Sequence, residues 1–371
     1  MRHLLLGSLL AVISFGSACG PDTASSQDQG DVSGDQQDDL KKKKDAGVDA
    51  GAVDAGAHDA GVADAGAADA GAVDAGAVDA GTVDAGAVDA GHPSSGPAIF
   101  TIVFENHDYK EVVGSTDAPF FNSLIAKYGL ATNYSDCNLH PSLPNYLCMI
   151  SGAPQYPGGT DILPTASFSG GSFPVASKHL GSQLMAANVP FGAYQESMGT
   201  ACKLKNSGSY ATKHDPFLYF QDIQLGANSE CAATNVDYSA FAADLAAGVN
   251  RYYFITPNLT SDGHDPSTNP RLGMQNSDAW AQTAVTAIMA SAAYKNGGII
   301  FITWDEAEGR NGDAKDQVPM IIVSEKLVST GFKSAKAYSH KSYLATVEDL
   351  LGLPRLPTVQ SEPSMTEFFA P

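Results

Sequence analysis

The tripeptide Asp-Ala-Gly recurs at five-residue intervals between Asp49 and Asp89, and this repeat limits what the N-terminal part of the chain can fold into. A period of five matches neither the 3.6-residue period of a helix nor the two-residue period of a strand. Alanine, glycine and one charge per repeat also bury too little apolar surface to offset the conformational entropy of the chain. The composition of residues 20–97 therefore predicts an extended, self-repelling tether without a core.

Residues 1–19 have the features of an export signal. Arg2 precedes an apolar stretch over residues 4–15, and Gly16-Ser17-Ala18-Cys19 resembles the cleavage site of a bacterial lipoprotein signal. The apolar stretch is shorter than the roughly 20 residues that span a bilayer. We therefore expect export and a lipid anchor at Cys19, with an ordinary secretory signal as the alternative.

The net charge of −20 is divided between the tether and the rest of the chain. Residues 1–97 contain 16 acidic and 5 basic side chains, and the remainder contains 25 and 16. Neither part carries a basic patch, because the run of lysines over residues 41–44 is short. Binding to nucleic acid is therefore not expected.

Four cysteines remain when Cys19 is assigned to the lipid, and an even number in an exported chain predicts two disulfides. The most local of the three pairings joins Cys137 to Cys148 and Cys202 to Cys231. The sequence alone does not fix the pairing.

From about Ala98 onward, continuous apolar runs typical of buried parallel strands alternate with segments of helical spacing. The clearest strand runs cover residues 98–104, 251–256 and 298–304. The longest helical pattern covers residues 277–293, and an amphipathic helix is also expected over residues 236–247. This alternation predicts a single α/β domain over residues 98–371, built around a mostly parallel sheet.

Ser142 lies in a turn between two prolines, His140-Pro141-Ser142-Leu143-Pro144-Asn145-Tyr146, which leads into an apolar run. If that run is a helix, Ser142 occupies its first turn, where free backbone N–H groups and the helix dipole favour an anion. The hydroxyl is then a candidate nucleophile toward a phosphorylated substrate. The alternative is that Ser142 only caps the helix.

Polar side chains follow three of the predicted strands, and the carboxyl ends of parallel strands meet at one edge of a sheet. Carboxylates gathered at a buried edge need a positive partner, and oxygen ligands suit a hard divalent ion such as Mg²⁺, Ca²⁺ or Mn²⁺. Because histidines also occur in these segments, Zn²⁺ and iron are further candidates for the metal. A metal here would lower the pKa of the Ser142 hydroxyl. The expected ligands are Glu105, Asn106, Asp305 and Glu306, with His264 close by.

Seven motifs, taken together and in order, resemble those of the bacterial and fungal phosphoesterase family of acid phosphatases and phospholipases C, which is related to alkaline phosphatase. They are Phe104-Glu105-Asn106-His107, Pro119-Phe-Phe-Asn-Ser-Leu, His140-Pro-Ser-Leu-Pro-Asn-Tyr146, Lys213-His214-Asp-Pro216, Pro257-Asn258…Asp262-Gly-His-Asp265, Thr303-Trp-Asp-Glu306 and His340-Lys-Ser342…Glu348-Asp-Leu-Leu-Gly352. The family's usual Lys-His-Asn-Pro motif has Asp215 in place of asparagine here, while His214 is retained.

The resemblance implies a three-layer αβα sandwich with a metal-dependent phosphoester hydrolase site. It implies that Ser142 is the nucleophile, which forms a phospho-enzyme and touches the metal. The other implied roles are metal ligation by Glu105, Asn106, Asp305 and Glu306, phosphate contact or proton transfer by His140, His214 and His264, substrate binding by Asn106 and Asn145, and a less defined catalytic role for His340.

The form of the Ser142 motif resembles the acid phosphatase branch more than the large phospholipases C, which favours a phosphomonoesterase. A phospholipase C or phosphodiesterase is the alternative, and a non-catalytic binding lipoprotein is a third. A sulfatase is disfavoured, because Tyr146 stands where the sulfatase motif needs arginine. The expected partners are a small phosphorylated substrate or phospholipid headgroup and the membrane through the lipid, and we expect a monomer.

Overall fold

The computed structural model describes residues 96–226, 230–264, 269–308 and 316–370. The predicted export signal, the lipidation site at Cys19 and the predicted tether up to residue 95 lie outside these residues, as does Asp265. All the other residues predicted for the site are described.

Short strands and helices alternate along the described residues. The strands are β1 Ile99–Phe104, β2 Gly129–Ala131, β3 Tyr134–Ser135, β4 Ser167–Phe168, β5 Gly171–Ser172, β6 Phe191–Gln195, β7 Asn235–Asp237, β8 Tyr252–Thr256, β9 Ile299–Trp304, β10 Met320–Ser324, β11 Lys333–Ser334 and β12 Tyr338–Ser339. The helices are α1 Tyr109–Val112, α2 Pro119–Lys127, α3 Ser142–Ser151, α4 Leu180–Ala186, α5 Gln221–Gln224, α6 Glu230–Thr234, α7 Phe241–Ala247, α8 Pro270–Ala290, α9 Ala292–Lys295 and α10 His340–Leu350. Within the described part of the chain, no helix has the length and apolar character needed to cross a membrane.

Eight strands form one sheet in the order β11-β2-β10-β9-β1-β8-β6-β7. Parallel pairing joins β1 to β8 and β9, and β6 to β7 and β8. Strand β10 runs antiparallel to both of its neighbours, β9 and β2, while β11 is parallel to β2. In this sheet β10 alone opposes the common direction, which confirms the predicted mostly parallel sheet.

Helices cover both faces of the sheet, and the side chains of β1 show the two layers because successive residues point to opposite faces. On one face, the Thr101 hydroxyl lies 2.6 Å from the Tyr343 hydroxyl of α10. On the other face, the Phe104 ring packs edge-on against Phe121 of α2 and Trp280 of α8. This arrangement confirms the predicted three-layer αβα sandwich.

The register of the central strands brings their polar ends together. Phe104 of β1 pairs with Trp304 of β9, so Glu105 and Asp305 leave the sheet side by side. Two backbone hydrogen bonds fix this edge, from the Asp305 N–H to the Phe104 carbonyl (2.9 Å) and from the Glu105 N–H to the Asp262 carbonyl (2.8 Å). The carboxyl edge of the sheet therefore holds the three polar strand ends in one place, as the sequence predicted.

Two disulfides join Cys137 to Cys148 and Cys202 to Cys231, which confirms the most local pairing. The first ties the loop before Ser142 to helix α3, with a Cα–Cα distance of 6.6 Å. It therefore restrains the turn in which Ser142 lies. The second ties the segment after β6 to helix α6.

Two helices differ from the sequence prediction at their N-terminal ends. The helix expected over residues 277–293 begins earlier, at Pro270, where proline is favoured because its missing N–H needs no partner. The first residues of the segment 236–247 form β7, which pairs with β6, and the helix begins only at Phe241. Here the hydrogen bonds of the sheet edge outweigh a local helical pattern.

His179 supports the fold at the N-terminal end of α4. It caps α4, with Nδ1 accepting from the Gly181 N–H at 3.2 Å, while Nε2 donates to Asp222 at 2.8 Å. Its ring is fully buried and stacks on Phe220. Burial lowers the pKa of this histidine below its usual 6.5, and Asp222 opposes the shift only in part.

We expect His179 to make the folded protein less stable as the pH is lowered. The reason is that its folded-state pKa lies below 6.5, so the unfolded state binds the proton first. The stability from neutral His179 is complete above pH 6.5 and is lost as the pH falls below that value. Urea unfolding at pH 7, 6 and 5 should show a steeper loss in the wild type than in His179→Asn. The difference should not exceed about 1.4 kcal/mol per pH unit. Equal slopes would show that His179 does not contribute.

Candidate active site

Ser142 is the first residue of α3, and the residue that caps this helix is Pro141. Among the described residues, the hydrogen bonds of Ser142 Oγ join it to the side chains of Glu105, Glu306 and Lys213, and none of them comes from a backbone N–H of α3. Ser142 Oγ lies 2.9 Å from Glu105 Oε2 and 3.2 Å from Glu306 Oε1, at 1% exposure. The structure therefore excludes the capping interpretation and places the hydroxyl among the carboxylates of two strand ends.

Lys213 also contacts this hydroxyl, and the sequence analysis gave it no role. Its Nζ lies 3.1 Å from Ser142 Oγ and 3.4 Å from Glu105 Oε2. A third oxygen close to Lys213 Nζ is Asp161 Oδ2, at 3.2 Å. An ammonium group at a serine hydroxyl favours the ionised form of that hydroxyl and attracts an anionic substrate. Its position directly before His214 in a recognised motif was the sequence signal for this role.

Asn106 connects the ends of β1 and β9. Its backbone N–H donates to Asp305 Oδ1 at 3.1 Å, and its Nδ2 donates to Glu306 Oε1 at 3.3 Å and Glu308 Oε1 at 2.9 Å. The residue has a φ of 51°, a conformation that costs energy for a side chain other than glycine. This strained backbone conformation places the side-chain amide of Asn106 against the carboxylates of Glu306 and Glu308.

Three of the predicted histidines lie near the carboxylates. His140 Nδ1 is 2.5 Å from Glu306 Oε2, and 36% of its side chain is exposed. His214 is buried, with Nε2 3.1 Å from Glu105 Oε1 and its ring stacked on Tyr146. The backbone N–H of His264 donates to Asp262 Oδ1 at 3.0 Å, and its imidazole helps lower the pKa of Glu105.

Two predicted residues do not enter the site. His340 is fully buried behind it, where Nε2 donates to the Asp305 backbone carbonyl at 2.7 Å and Nδ1 accepts from Tyr134. Burial lowers the pKa of His340 to about 4, so it is neutral. Asn145 is also fully buried, and its side-chain amide forms two hydrogen bonds with the backbone. Its Oδ1 accepts from the Cys137 N–H, and its Nδ2 donates to the Leu139 carbonyl. Both side chains support the loops that carry Asp305 and Ser142.

The positive charge around the carboxyl groups of the site is too small for all of them to ionise. Burial, followed by repulsion from Glu105 and Glu306, raises the pKa of Asp305 well above its usual value. Burial and Glu105 likewise raise the pKa of Glu306 to about 8. For Glu105, burial is opposed by Lys213 and His214, which hold its pKa well below the usual range. Glu105 is therefore a stable anion, while its neighbours need a further cation to ionise.

A divalent metal ion fits this need by its donor chemistry. Asn106 Oδ1 and Asp305 Oδ2 are buried and accept no hydrogen bond from the described residues. Oxygens of this kind, with the carboxylates of Glu105 and Glu306, are the ligands that hard cations prefer. Across the described ranges, no group of three or more His, Cys, Asp or Glu side chains is arranged so that it could hold a metal ion. The fit is therefore one of ligand type and charge.

The sequence model of the Phosphoesterase family matches residues 109–354. A phosphatidylinositol-3-phosphatase from Mycobacterium tuberculosis is 28% identical over 276 residues, which cover 73% of this chain and 82% of the relative. An acid phosphatase from Aspergillus fumigatus is 23% identical over 69% of this chain, and the match spans only 55% of that relative.

A solved structure has the same fold. It is a protein of the alkaline phosphatase superfamily from Vibrio parahaemolyticus, with a TM-score of 0.54 and 11% identity. The match covers 75% of this chain and 71% of that one. At this identity the likeness concerns the fold alone.

Replacing Lys213 by methionine should lower kcat/KM for a phosphate monoester by about 10²- to 10³-fold, because one charged donor at Ser142 Oγ is lost. Lys213→Arg should recover part of this loss. Lys333→Met, which removes an exposed lysine on β11, is the control and should have no effect. Steady-state kinetics of the three variants would measure this. A Lys213→Met enzyme as active as the control would mean that the contact has no catalytic value.

Proposed function

Because this chain belongs to the phosphoesterase family and is a phosphoric ester hydrolase, we propose that it hydrolyses phosphate monoesters through a phosphoserine at Ser142. One observation carries the proposal. The Ser142 hydroxyl caps nothing and lies within 3.2 Å of Glu105, Glu306 and the Lys213 ammonium. A buried serine that only supports a helix would not need two carboxylates and a cation at its oxygen.

In the first step, Ser142 Oγ attacks phosphorus in line with the leaving alcohol. Its proton passes toward Glu105, which already accepts a hydrogen bond from Oγ and which Lys213 and His214 keep ionised. As the bond between phosphorus and the leaving oxygen breaks, that oxygen takes a proton from a histidine, His264 or His214. The products are the alcohol and phosphoserine.

In the second step, water attacks the phosphorus of phosphoserine, and the same histidine takes the proton of that water. The Ser142 oxygen leaves and regains its proton, and inorganic phosphate is released. Lys213 stays at the Ser142 oxygen throughout and offsets the charge that develops there. His140 faces Glu306 at the exposed side of the site and is placed to contact the phosphoryl group.

We propose one divalent metal ion at this site. Glu105, Asn106, Asp305 and Glu306 would bind it together with Ser142. When bound, it would supply the positive charge that lowers the pKa of the hydroxyl and neutralises the phosphoryl oxygens. The oxygen donors favour Mg²⁺, Ca²⁺ or Mn²⁺, and the adjacent histidines keep Zn²⁺ and iron as candidates.

The proposed substrate class is small phosphate monoesters, with monoesters on lipid headgroups as a subset. The acid phosphatase and the phosphatidylinositol-3-phosphatase among the relatives support a monoester. We propose that the enzyme works outside the cytoplasm, at the cell surface or in the periplasm, anchored by a lipid on Cys19, or secreted. The two disulfides are consistent with export.

The direct test compares p-nitrophenyl phosphate with bis-p-nitrophenyl phosphate, with and without EDTA. The wild type should prefer the monoester, and EDTA should abolish the rate. Ser142→Ala should lose at least about a thousandfold in kcat. Ser151→Ala, at the other end of α3, is a matched control and should stay active. Preference for the diester would instead support a phospholipase C-type enzyme, and an active Ser142→Ala enzyme would exclude this nucleophile.

The ligand assignment predicts that Asp305→Asn loses both bound metal and activity, because one buried anionic oxygen is removed. Asp278→Asn changes another buried aspartate, which accepts from the backbone N–H groups of Phe120 and Phe121. This control should keep its metal. The measurement is the metal content of both purified variants by plasma mass spectrometry. An unchanged ratio of metal to protein in Asp305→Asn would show that Asp305 is not a ligand.

A further inference from the structure

Asp161 forms hydrogen bonds with two donors beside Ser142, the backbone N–H of the next residue, Leu143, and the Lys213 ammonium that contacts Ser142 Oγ. Its Oδ1 accepts from the Leu143 backbone N–H at 3.0 Å, and its Oδ2 lies 3.2 Å from Lys213 Nζ. The Leu143 N–H belongs to the first turn of α3, where backbone donors have no partner within the helix. One carboxylate therefore bridges a backbone amide and an ammonium group next to the proposed nucleophile.

The donors have no spare capacity for a substrate. Lys213 has three N–H bonds, and its Nζ has three oxygens within 3.4 Å, on Ser142, Glu105 and Asp161. The Leu143 N–H has a single hydrogen, which points at Asp161. A phosphoryl group approaching Ser142 can gain these donors only if one of the present acceptors leaves.

Asp161 is the acceptor that can leave. Glu105 is buried at the end of β1, whereas 31% of the Asp161 side chain is exposed. Two tyrosines anchor the backbone on either side of Asp161, Tyr156 through the Thr160 carbonyl and Tyr219 through the Ile162 carbonyl, both by hydrogen bonds of 2.7–2.8 Å. Release of the donors therefore needs only a rotation of the Asp161 side chain toward solvent, with the loop kept in place.

We propose that Asp161 is an internal competitor for the phosphoryl group. Its two oxygens take the places of two phosphoryl oxygens in the resting enzyme and yield when substrate binds. This inference rests on the proposed function, since it assigns Leu143 and Lys213 as phosphate donors. After hydrolysis, the return of Asp161 to both donors weakens the hold on inorganic phosphate and so favours product release. Asp161 thereby sets the affinity of the site for anions.

The test is the binding of inorganic phosphate to the purified full chain by isothermal titration calorimetry, with the same divalent metal present throughout. Asp161→Asn keeps an acceptor for the Leu143 N–H but removes the charge that competes for Lys213. It should bind phosphate about tenfold more tightly than the wild type, the scale of one hydrogen bond to a charged group. Inhibition of turnover by phosphate should strengthen by the same factor.

Asp237→Asn is the matched control, because this aspartate also bridges two donors, the Gly199 and Ser239 N–H groups, but lies on the edge strand β7. It has the same change in net charge and should bind phosphate as the wild type does. Asp161→Ala, which also removes the acceptor, should bind at least as tightly as Asp161→Asn.

Unchanged or weaker phosphate binding in both Asp161 variants would overturn the proposal, as would a loss of kcat with unchanged inhibition by phosphate, which indicates a positioning role. Absence of phosphate binding in every protein would overturn it too. Failure of the proposed hydrolysis is a separate result. A chain that binds phosphate more tightly as Asp161→Asn but turns over no monoester would keep the competitor and lose the phosphoserine mechanism.

Discussion

The arrangement of the site depends on one electrostatic constraint, the gathering of buried carboxylates at the carboxyl edge of a parallel sheet. Pairing of Phe104 with Trp304 leaves Glu105 beside Asp305 and Glu306, and all three carboxyl groups are buried. Such a cluster is unstable unless cations compensate it. Lys213 supplies one positive charge, and the raised pKa values of Asp305 and Glu306 show that the site needs more. This shortage of positive charge is the basis for the metal ion and the phosphoryl group that we propose at the site.

Sequence patterns were sufficient for the parts of the molecule that follow from local rules. Apolar runs that end in polar residues predicted the sheet edge, because parallel strands align their carboxyl ends. The proline-braced turn before an apolar run predicted Ser142 at a helix start. Its role as a cap or a nucleophile stayed open, because that depends on Glu105 and Glu306, which are distant in sequence and meet Ser142 only in the folded chain.

The residues that sequence reasoning missed or misplaced depend on loops. Asp161 comes from a loop rich in glycine and proline, where an aspartate is ordinary turn chemistry and carries no signal of its partners. His340 and Asn145 belong to recognised motifs, yet their side chains brace the backbone of Asp305 and of the Cys137 loop. A motif shows that a residue matters to a site, but only its contacts separate a reacting group from a supporting one.

The most direct measurement for the central claim is to trap the covalent intermediate. The enzyme would be mixed with a ³²P-labelled monoester, quenched in acid within the first turnover and digested for peptide mapping. The account predicts acid-stable label on the peptide that contains Ser142, with phosphoserine at that position. Turnover without label on the protein, or label on any other residue, would contradict it.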